Sequence, residues 1–135
     1  MNATRTERRF VNPSTLYTPP GPYSQVVRVG DLAFVAGQVG MNHAGVLAGS
    51  GITVQAGQAI KNIASALESV GLGLAHVVKV TIFVPYAEDL DELVPYMDAA
   101  FGDFFTGGYP ASSLLVIDRL FDPELRIEIE AVAHA

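Results

Sequence analysis

Few side chains in this 135-residue chain can move a proton at neutral pH. Glu128 and Glu130 stand two apart in the alternating run Leu125-Arg126-Ile127-Glu128-Ile129-Glu130-Ala131. Alternation puts both carboxylates on one face of a strand, about 7 Å apart. Like charges at that range raise the pKa of one of them, which suits a general acid or base. On pattern alone, Glu128 reads as an exposed acid on a solvated strand face, with Glu130 as its supporting neighbour. Ser112 and Ser113 form the other candidate pair. No histidine has a motif-level relation to either, and an unassisted serine is a poor nucleophile, so they read as hydrogen-bond donors to a neutral or weakly polar ligand. Tyr23 follows Pro22 in a loop, where it either packs over the core or lies as a lid over a ligand. Gly37 and Gln38 end a strand and open a long loop. A glycine there permits an awkward backbone angle or lets a ligand approach backbone N–H groups, and both readings stay open.

Composition removes other chemistries. There is no cysteine, which excludes disulfides, thiolate nucleophiles and thiolate metal sites. His43, His76 and His134 share no ligand spacing, so the sequence offers no metal site. Eight basic residues against fourteen acidic ones give a net charge of −6, the wrong sign for phosphate backbones or anionic membrane surfaces. Arg5, Arg8 and Arg9 have no apolar run behind them, so residues 1–10 do not read as a signal peptide. Residues 32–60 are uncharged, yet six glycines and several polar residues break them, unlike a spanning helix of ~20 apolar residues. The expectation is a cytoplasmic protein, and half of its residues are apolar, enough for a core.

The length fits one domain, 1–135, with residues 1–18 as an extended N-terminal segment leading into the Pro19-Pro20-Gly21-Pro22 turn. Val26–Val29 and Leu32–Ala36 read as a hairpin around Gly30-Asp31, followed by a glycine-rich loop over 37–51. Ile60, Ile63, Leu67 and Val70 make one apolar stripe of a helix over 53–70, with Thr53 as N-cap and Gly71 as the stop. Val77–Val84 reads as a strand with Val78, Val80, Ile82 and Val84 on one face. A second helix is expected over 88–105, with a displaced start or kink at Pro95 and a solvated acidic face. Strands over 113–117 and 125–133 complete the chain. Two helices cover only one face of a single sheet, so the other face calls for self-association.

Five blocks then stand in order: Gly21-Pro22-Tyr23-Ser24-Gln25, Phe34-Val35-Ala36-Gly37-Gln38, Gln58-Ala59-Ile60-Lys61-Asn62-Ile63, Val77-Val78-Lys79-Val80-Thr81-Ile82-Phe83 and Ile127-Glu128-Ile129-Glu130-Ala131. The set, from about Pro19 to Ala133, resembles the RidA/YjgF family of reactive-intermediate deaminases, also labelled endoribonuclease L-PSP. The resemblance implies a chorismate-mutase-like α+β fold, a homotrimer, and a small-molecule cleft at each subunit interface. It implies hydrolysis of enamines and imines with release of ammonia, without metal or cofactor. A glutamate handles the water, which matches Glu128, and an arginine clamps the substrate carboxylate. Tyr23 matches a tyrosine bordering the cleft, and Gln38 is also retained.

This chain departs from the family pattern at the clamp. Pro110-Ala111 is followed by Ser112 where the arginine is expected, Ala36 stands for a serine before Gly37, and Val94 for an asparagine on the second helix. Serine cannot make the bidentate charged contact of arginine. Arg119 and Arg126 are the cations able to replace it, with Arg126 expected as a surface partner of Glu128. The expected function is a small-molecule hydrolase of the enamine or imine type, with 2-imino-acid deamination in doubt. The alternatives are a non-catalytic ligand-binding trimer and, opposed by the charge, an endoribonuclease or translation inhibitor.

Overall fold

A computed structural model describes residues 6–135. Residues 1–5 of the expected N-terminal segment lie outside the described residues. The elements are β1 (Arg8–Val11), β2 (Val26–Val29), β3 (Leu32–Val39), α1 (Ile52–Glu68), β4 (Val77–Val84), α2 (Leu90–Phe104), β5 (Ala111–Val116) and β6 (Glu128–His134). They form one six-stranded sheet in the order β1-β2-β3-β6-β4-β5, antiparallel except for the β4–β5 pair. The fold is α+β, with both helices against one face.

The apolar stripe of α1 continues upstream through Ile52, Ala56 and Ala59, all buried with Ile60, Ile63 and Leu67. The helix therefore starts at Ile52, with Gly51 rather than Thr53 at the N-cap and no side-chain cap. Gln55, itself buried, ties this first turn down: its Nε2 donates to the carbonyls of Gly49 and Glu124, and its Oε1 accepts from the Arg126 N–H. The helix stops where expected. Gly71 takes a φ of +81°, and the Leu72 N–H returns to the Leu67 carbonyl at 2.9 Å. No basic residue lies in the last turn of α1, so Arg28 from β2 supplies a cation, donating to the Val70 carbonyl.

Three expectations change for physical reasons. The segment before Leu16 contains a strand, β1, which pairs with β2 at the sheet edge. In β4, a register shift between Val77 and Lys79 gives the inward position to Val77 and turns Val78 outward, leaving it 48% exposed. Helix α2 runs through Pro95. That residue lies on the exposed side, where water can satisfy the carbonyl that loses its N–H partner.

Val26, Val35, Val80, Ile82 and Ile129 are among the strand residues of the main core, joined by Ile127 just before β6. Tyr17, Val39, Leu120 and Leu125 make a smaller second cluster at one end of the sheet. The face away from the helices keeps large apolar side chains in the open, with Phe10 64% and Phe34 46% exposed. Phe10, Val27, Phe34 and Val132 sit opposite one another across four strands.

Candidate functional site

Glu128 opens β6, and its position follows from what β3 does beside it. The register runs from Val35 opposite Ala131 to Gln38 opposite Ile129, so three steps on β3 face two on β6. The extra residue makes a bulge at Ala36-Gly37, of the kind that re-aims side chains next to functional sites. Gly37 then comes under the Glu128 side chain. A Cβ at position 37 would stand 2.7 Å from the Glu128 Cδ and 2.8 Å from its Oε2. Real Cβ atoms do not approach so closely, so the carboxyl group occupies space that only glycine leaves free.

A cleft of about 530 Å³ lies over this carboxyl group. Tyr17, Pro20, Tyr23 and Phe121 form its apolar walls, and Ala36, Gly37 and Glu128 its base. Glu128 is the only ionisable acid or base among the lining residues apart from the two tyrosines. Burial raises its pKa above the ordinary carboxylate value, and the nearby charge of Glu130 adds to the rise. Burial also pushes the Tyr17 hydroxyl up to about 12, with Tyr23 adding to it. Tyr17 therefore stays neutral and acts as a hydroxyl, not as a base. A carboxyl poised toward protonation, in an apolar cleft, is suited to taking a proton from water and returning it to a departing group.

Two of the sequence-derived residues, Tyr23 and Gly37, lie in this cleft with Glu128. Gln38 does not line it. Its side chain turns into the interior, fully buried, where Nε2 donates to Gln25 Oε1 at 2.7 Å and to the Ala36 carbonyl at 3.1 Å. Gln25 in turn donates to the Tyr17 carbonyl at 2.9 Å, so this chain of amides holds the cleft's tyrosine from behind. The bulge explains the change: it moves Gln38 to the helix side, opposite the buried Ile129.

Ser112 and Ser113 lie elsewhere in the chain. They belong to β5, two strands from β6, which is about 10 Å across the sheet. Ser112 pairs with the buried Val80 and borders a separate cavity under α2. Ser113 faces the open side, where its Oγ accepts from Lys79 Nζ at 2.8 Å. Arg126 does not partner Glu128. It lies 3.3 Å from Asp89 Oδ2, with its guanidinium 4.5 Å from the centre of the Tyr86 ring. The Arg119 guanidinium donates to the Leu120 carbonyl. Among the described residues, no group of three or more histidines and acids is placed to hold a metal ion, and no helix is long and apolar enough to cross a membrane.

Tyr17 and Phe121 escaped the sequence reading as cleft residues. Tyr17 carries a faint signal, a second tyrosine six residues before Tyr23 at the head of the proline-rich turn. Phe121 sits in an irregular connection with no periodicity to mark its direction.

Known proteins resemble this arrangement throughout its length. A family model described as endoribonuclease L-PSP matches residues 15–135. A RutC family protein of Pyrococcus abyssi is 36% identical over 117 residues, covering 86% of this chain and 88% of its own. The human 2-iminobutanoate/2-iminopropanoate deaminase is 32% identical over 127 residues, covering 93% and 89%. The crystal structure of the YjgF gene product of Escherichia coli superposes with a TM-score of 0.84 at 28% identity, covering 93% and 98%.

Proposed function

The chain belongs to the endoribonuclease L-PSP (RidA/YjgF) family, and from that premise we propose that it hydrolyses a small imine or enamine, with Glu128 moving the protons. The carrying observation is the Glu128 carboxyl group, seated on the bare Cα of Gly37 at the base of an apolar cleft, with a raised pKa. Relatives named as 2-imino acid deaminases support the same chemistry. In the proposed reaction, Glu128 takes a proton from water as the water oxygen bonds to the imine carbon. The same carboxyl passes that proton to nitrogen to give a carbinolamine; the carboxylate then takes the hydroxyl proton and delivers it to the amine nitrogen as the C–N bond breaks, so that a carbonyl compound and ammonia leave. Tyr17 and Tyr23 enclose the ligand.

The open sheet face, with Phe10 and Phe34 exposed, supports assembly as a homotrimer. In such an assembly, β5 of one subunit supplies Ser112 and Ser113 to a cleft shared with the next, as the family resemblance implies. Serine in place of a clamping arginine points to a substrate without a simple carboxylate at that position, and to weak turnover of 2-iminobutanoate. A net charge of −6 per chain opposes the ribonuclease reading. The test pairs Glu128→Gln with Glu130→Gln, following ammonia release from a panel of enzymatically generated imines. Glu128→Gln is expected to lose ~10²–10⁴-fold in rate while the assembly stays intact in sedimentation. Glu130→Gln is expected to lose far less. Equal losses at the two positions would assign the wrong carboxylate, and no turnover by the unmodified protein on any imine would favour a binding role.

A further inference from the structure

The Glu128 cleft has a neighbour that the proposed chemistry leaves unused. A second cavity of about 340 Å³ adjoins it across Tyr17, Pro20 and Phe121, which line both. On its far side stand Met41, His43 and Gly45, from the turn that follows β3. Tyr17, Met41, His43 and Phe121 all fall outside the five sequence blocks that carry the family resemblance. The second lobe therefore lies outside the shared pattern.

Its walls are fixed in place. Asn62 of α1 is buried, and its Nδ2 donates to the carbonyls of Val39 at 3.0 Å and Met41 at 2.8 Å. The turn beyond closes on Asn42, whose Oδ1 accepts from the Ala44 and Val46 N–H groups, with Gly45 at a φ of +76°. Phe121 stands beside a turn closed by Asp122, whose Oδ1 accepts from the Glu124 N–H at 2.8 Å and whose carbonyl accepts from the Leu125 N–H at 3.1 Å. An aromatic ring that is 59% exposed beside a fixed turn presents its surface to a ligand at little ordering cost.

Size and lining select the ligand. The first cleft alone, at about 530 Å³, falls within the ~300–1,000 Å³ range that accommodates drug-sized molecules, more than a four-carbon imine fills. Apart from Glu128, no aspartate, glutamate, lysine or arginine among the described residues lines either cavity. Nothing there matches a fixed charge on the ligand's tail. Tyr17, Phe121 and Met41 instead offer aromatic and thioether surface to a ring. Val39 pairs with Glu128, and Met41 is two residues further on, about 7 Å along extended chain. A ring on a short aliphatic spacer bridges that distance from the reacting carbon.

We infer that the two cavities together take an imine or enamine carrying an aryl group on a short aliphatic spacer, its ring seated between Phe121 and Met41, and that Phe121 sets this preference. The inference rests on the imine chemistry proposed above and adds to it the class of substrate. Glu128 meets the C–N end, and Tyr17, common to both cavities, borders the spacer.

The probes are 4-phenylbutan-2-one and butan-2-one, the carbonyl products of a ring-bearing and a ringless imine. Each is titrated into the full-length protein and amide resonances are followed by NMR, so that binding is read without turnover. The ring-bearing ketone is expected to bind roughly tenfold more tightly or better, and to shift the signals of Met41, His43 and Phe121. Phe121→Ala is expected to narrow the ratio of the two affinities to about threefold or less, and Phe121→Tyr to keep it. Position 121 is exposed, so the core survives both substitutions. In a second arm, an amine oxidase generates the two corresponding imines, and the acceleration of ammonia release is expected to favour the ring-bearing one in kcat/KM. Ring-selective binding without turnover of either imine would retire the hydrolase and leave the ligand class standing. Equal affinities for the two ketones, a ratio unchanged in Phe121→Ala, shifts confined to the Gly37–Glu128 cleft, or no shift at millimolar ketone would each overturn the inference, whatever the turnover of small imines.

Discussion

Glu128 stands on a central strand and Ser112 on an edge strand of the same sheet, and the two are held in different ways. Around Glu128, a bulge on β3, a glycine without room for a methyl group and a buried line of amides from Gln38 to Tyr17 restrict the carboxyl to one place. Around Ser112, an edge strand is exposed along most of its length, and the neighbouring side chains are held by little besides the Lys79–Ser113 bond. The seat of Glu128 is completed within one chain, whereas the serines lie on a surface able to accept either a ligand or a neighbouring subunit. A surface divided in this way lets exposed positions of β5 such as Ser112 and Ser113 change without disturbing the seat of Glu128.

Two glycines, Gly37 on β3 and Gly40 just past its end, separate rate from stability most sharply. At Gly40 a Cβ would stand 2.6 Å from the Gln55 Cα, and backbone cannot yield. Gly40→Ala should therefore cost about 3 kcal/mol in chemical denaturation, the upper range for overpacking. At Gly37 the obstructed atoms are the end of the flexible Glu128 side chain. Gly37→Ala should leave the fold largely intact and lose roughly 10²-fold in turnover, because the carboxyl moves by about 1 Å. Full activity in Gly37→Ala would separate Glu128's placement from catalysis.

The buried amides come next. Gln25→Leu leaves the Gln38 amide and the Tyr17 carbonyl without their partner, a loss of roughly 1–3 kcal/mol in a denaturant titration. No comparable loss is expected from Ser113→Ala, whose hydroxyl is exposed.

A smaller effect tests the burial of Glu128. Its raised folded pKa means that the folded chain holds this proton more tightly than the unfolded chain does. Its contribution to stability is complete below the ordinary carboxylate range and is lost as pH rises through the folded value. Glu128→Gln removes that penalty. Its melting temperature should exceed the parent's by on the order of a few degrees at neutral pH, and the gap should close in acid. A gap independent of pH would remove the desolvation argument. Smallest of all, Ser112→Arg should change stability by less than about 0.5 kcal/mol, as expected of an exposed edge. A large loss there would mean that β5 is more tightly built than its exposure indicates.

Periodicity made much of this fold legible. The stripe Ile60-Ile63-Leu67-Val70 marked α1, and alternation from Leu125 to Ala133 marked the buried and open sides of β6. Both signals arise from one element meeting one core. What stayed hidden depends on pairing between distant segments. The bulges at Ala36-Gly37 and at Val78 exist only against β6, and they changed the sides of Gln38 and Val78. Strand β1 has no apolar face of its own to declare it. At the site, Glu128 was readable through the family resemblance, because its alternating pattern alone reads as an acid on a solvated strand face. Phe121 was not, because its loop has no period. Arg126 was misjudged because sharing a strand face with Glu128 says nothing about Asp89, which approaches from another element.

The position of β6 has a consequence for how the molecule comes to exist. The last strand of the chain lies in the middle of the sheet, between β3 and β4. Until it arrives, β1-β2-β3 with α1 and β4-α2-β5 are two half-sheets with no hydrogen bonds to join them. Each exposes a long unpaired edge to other chains. Joining them requires contacts far apart along the chain, the kind that slow folding. Because Glu128 begins that strand, its carboxyl group reaches its seat on Gly37 in the same step that closes the sheet. A half-formed chain therefore has no seat for the Glu128 carboxyl: its placement and the closure of the sheet are completed together.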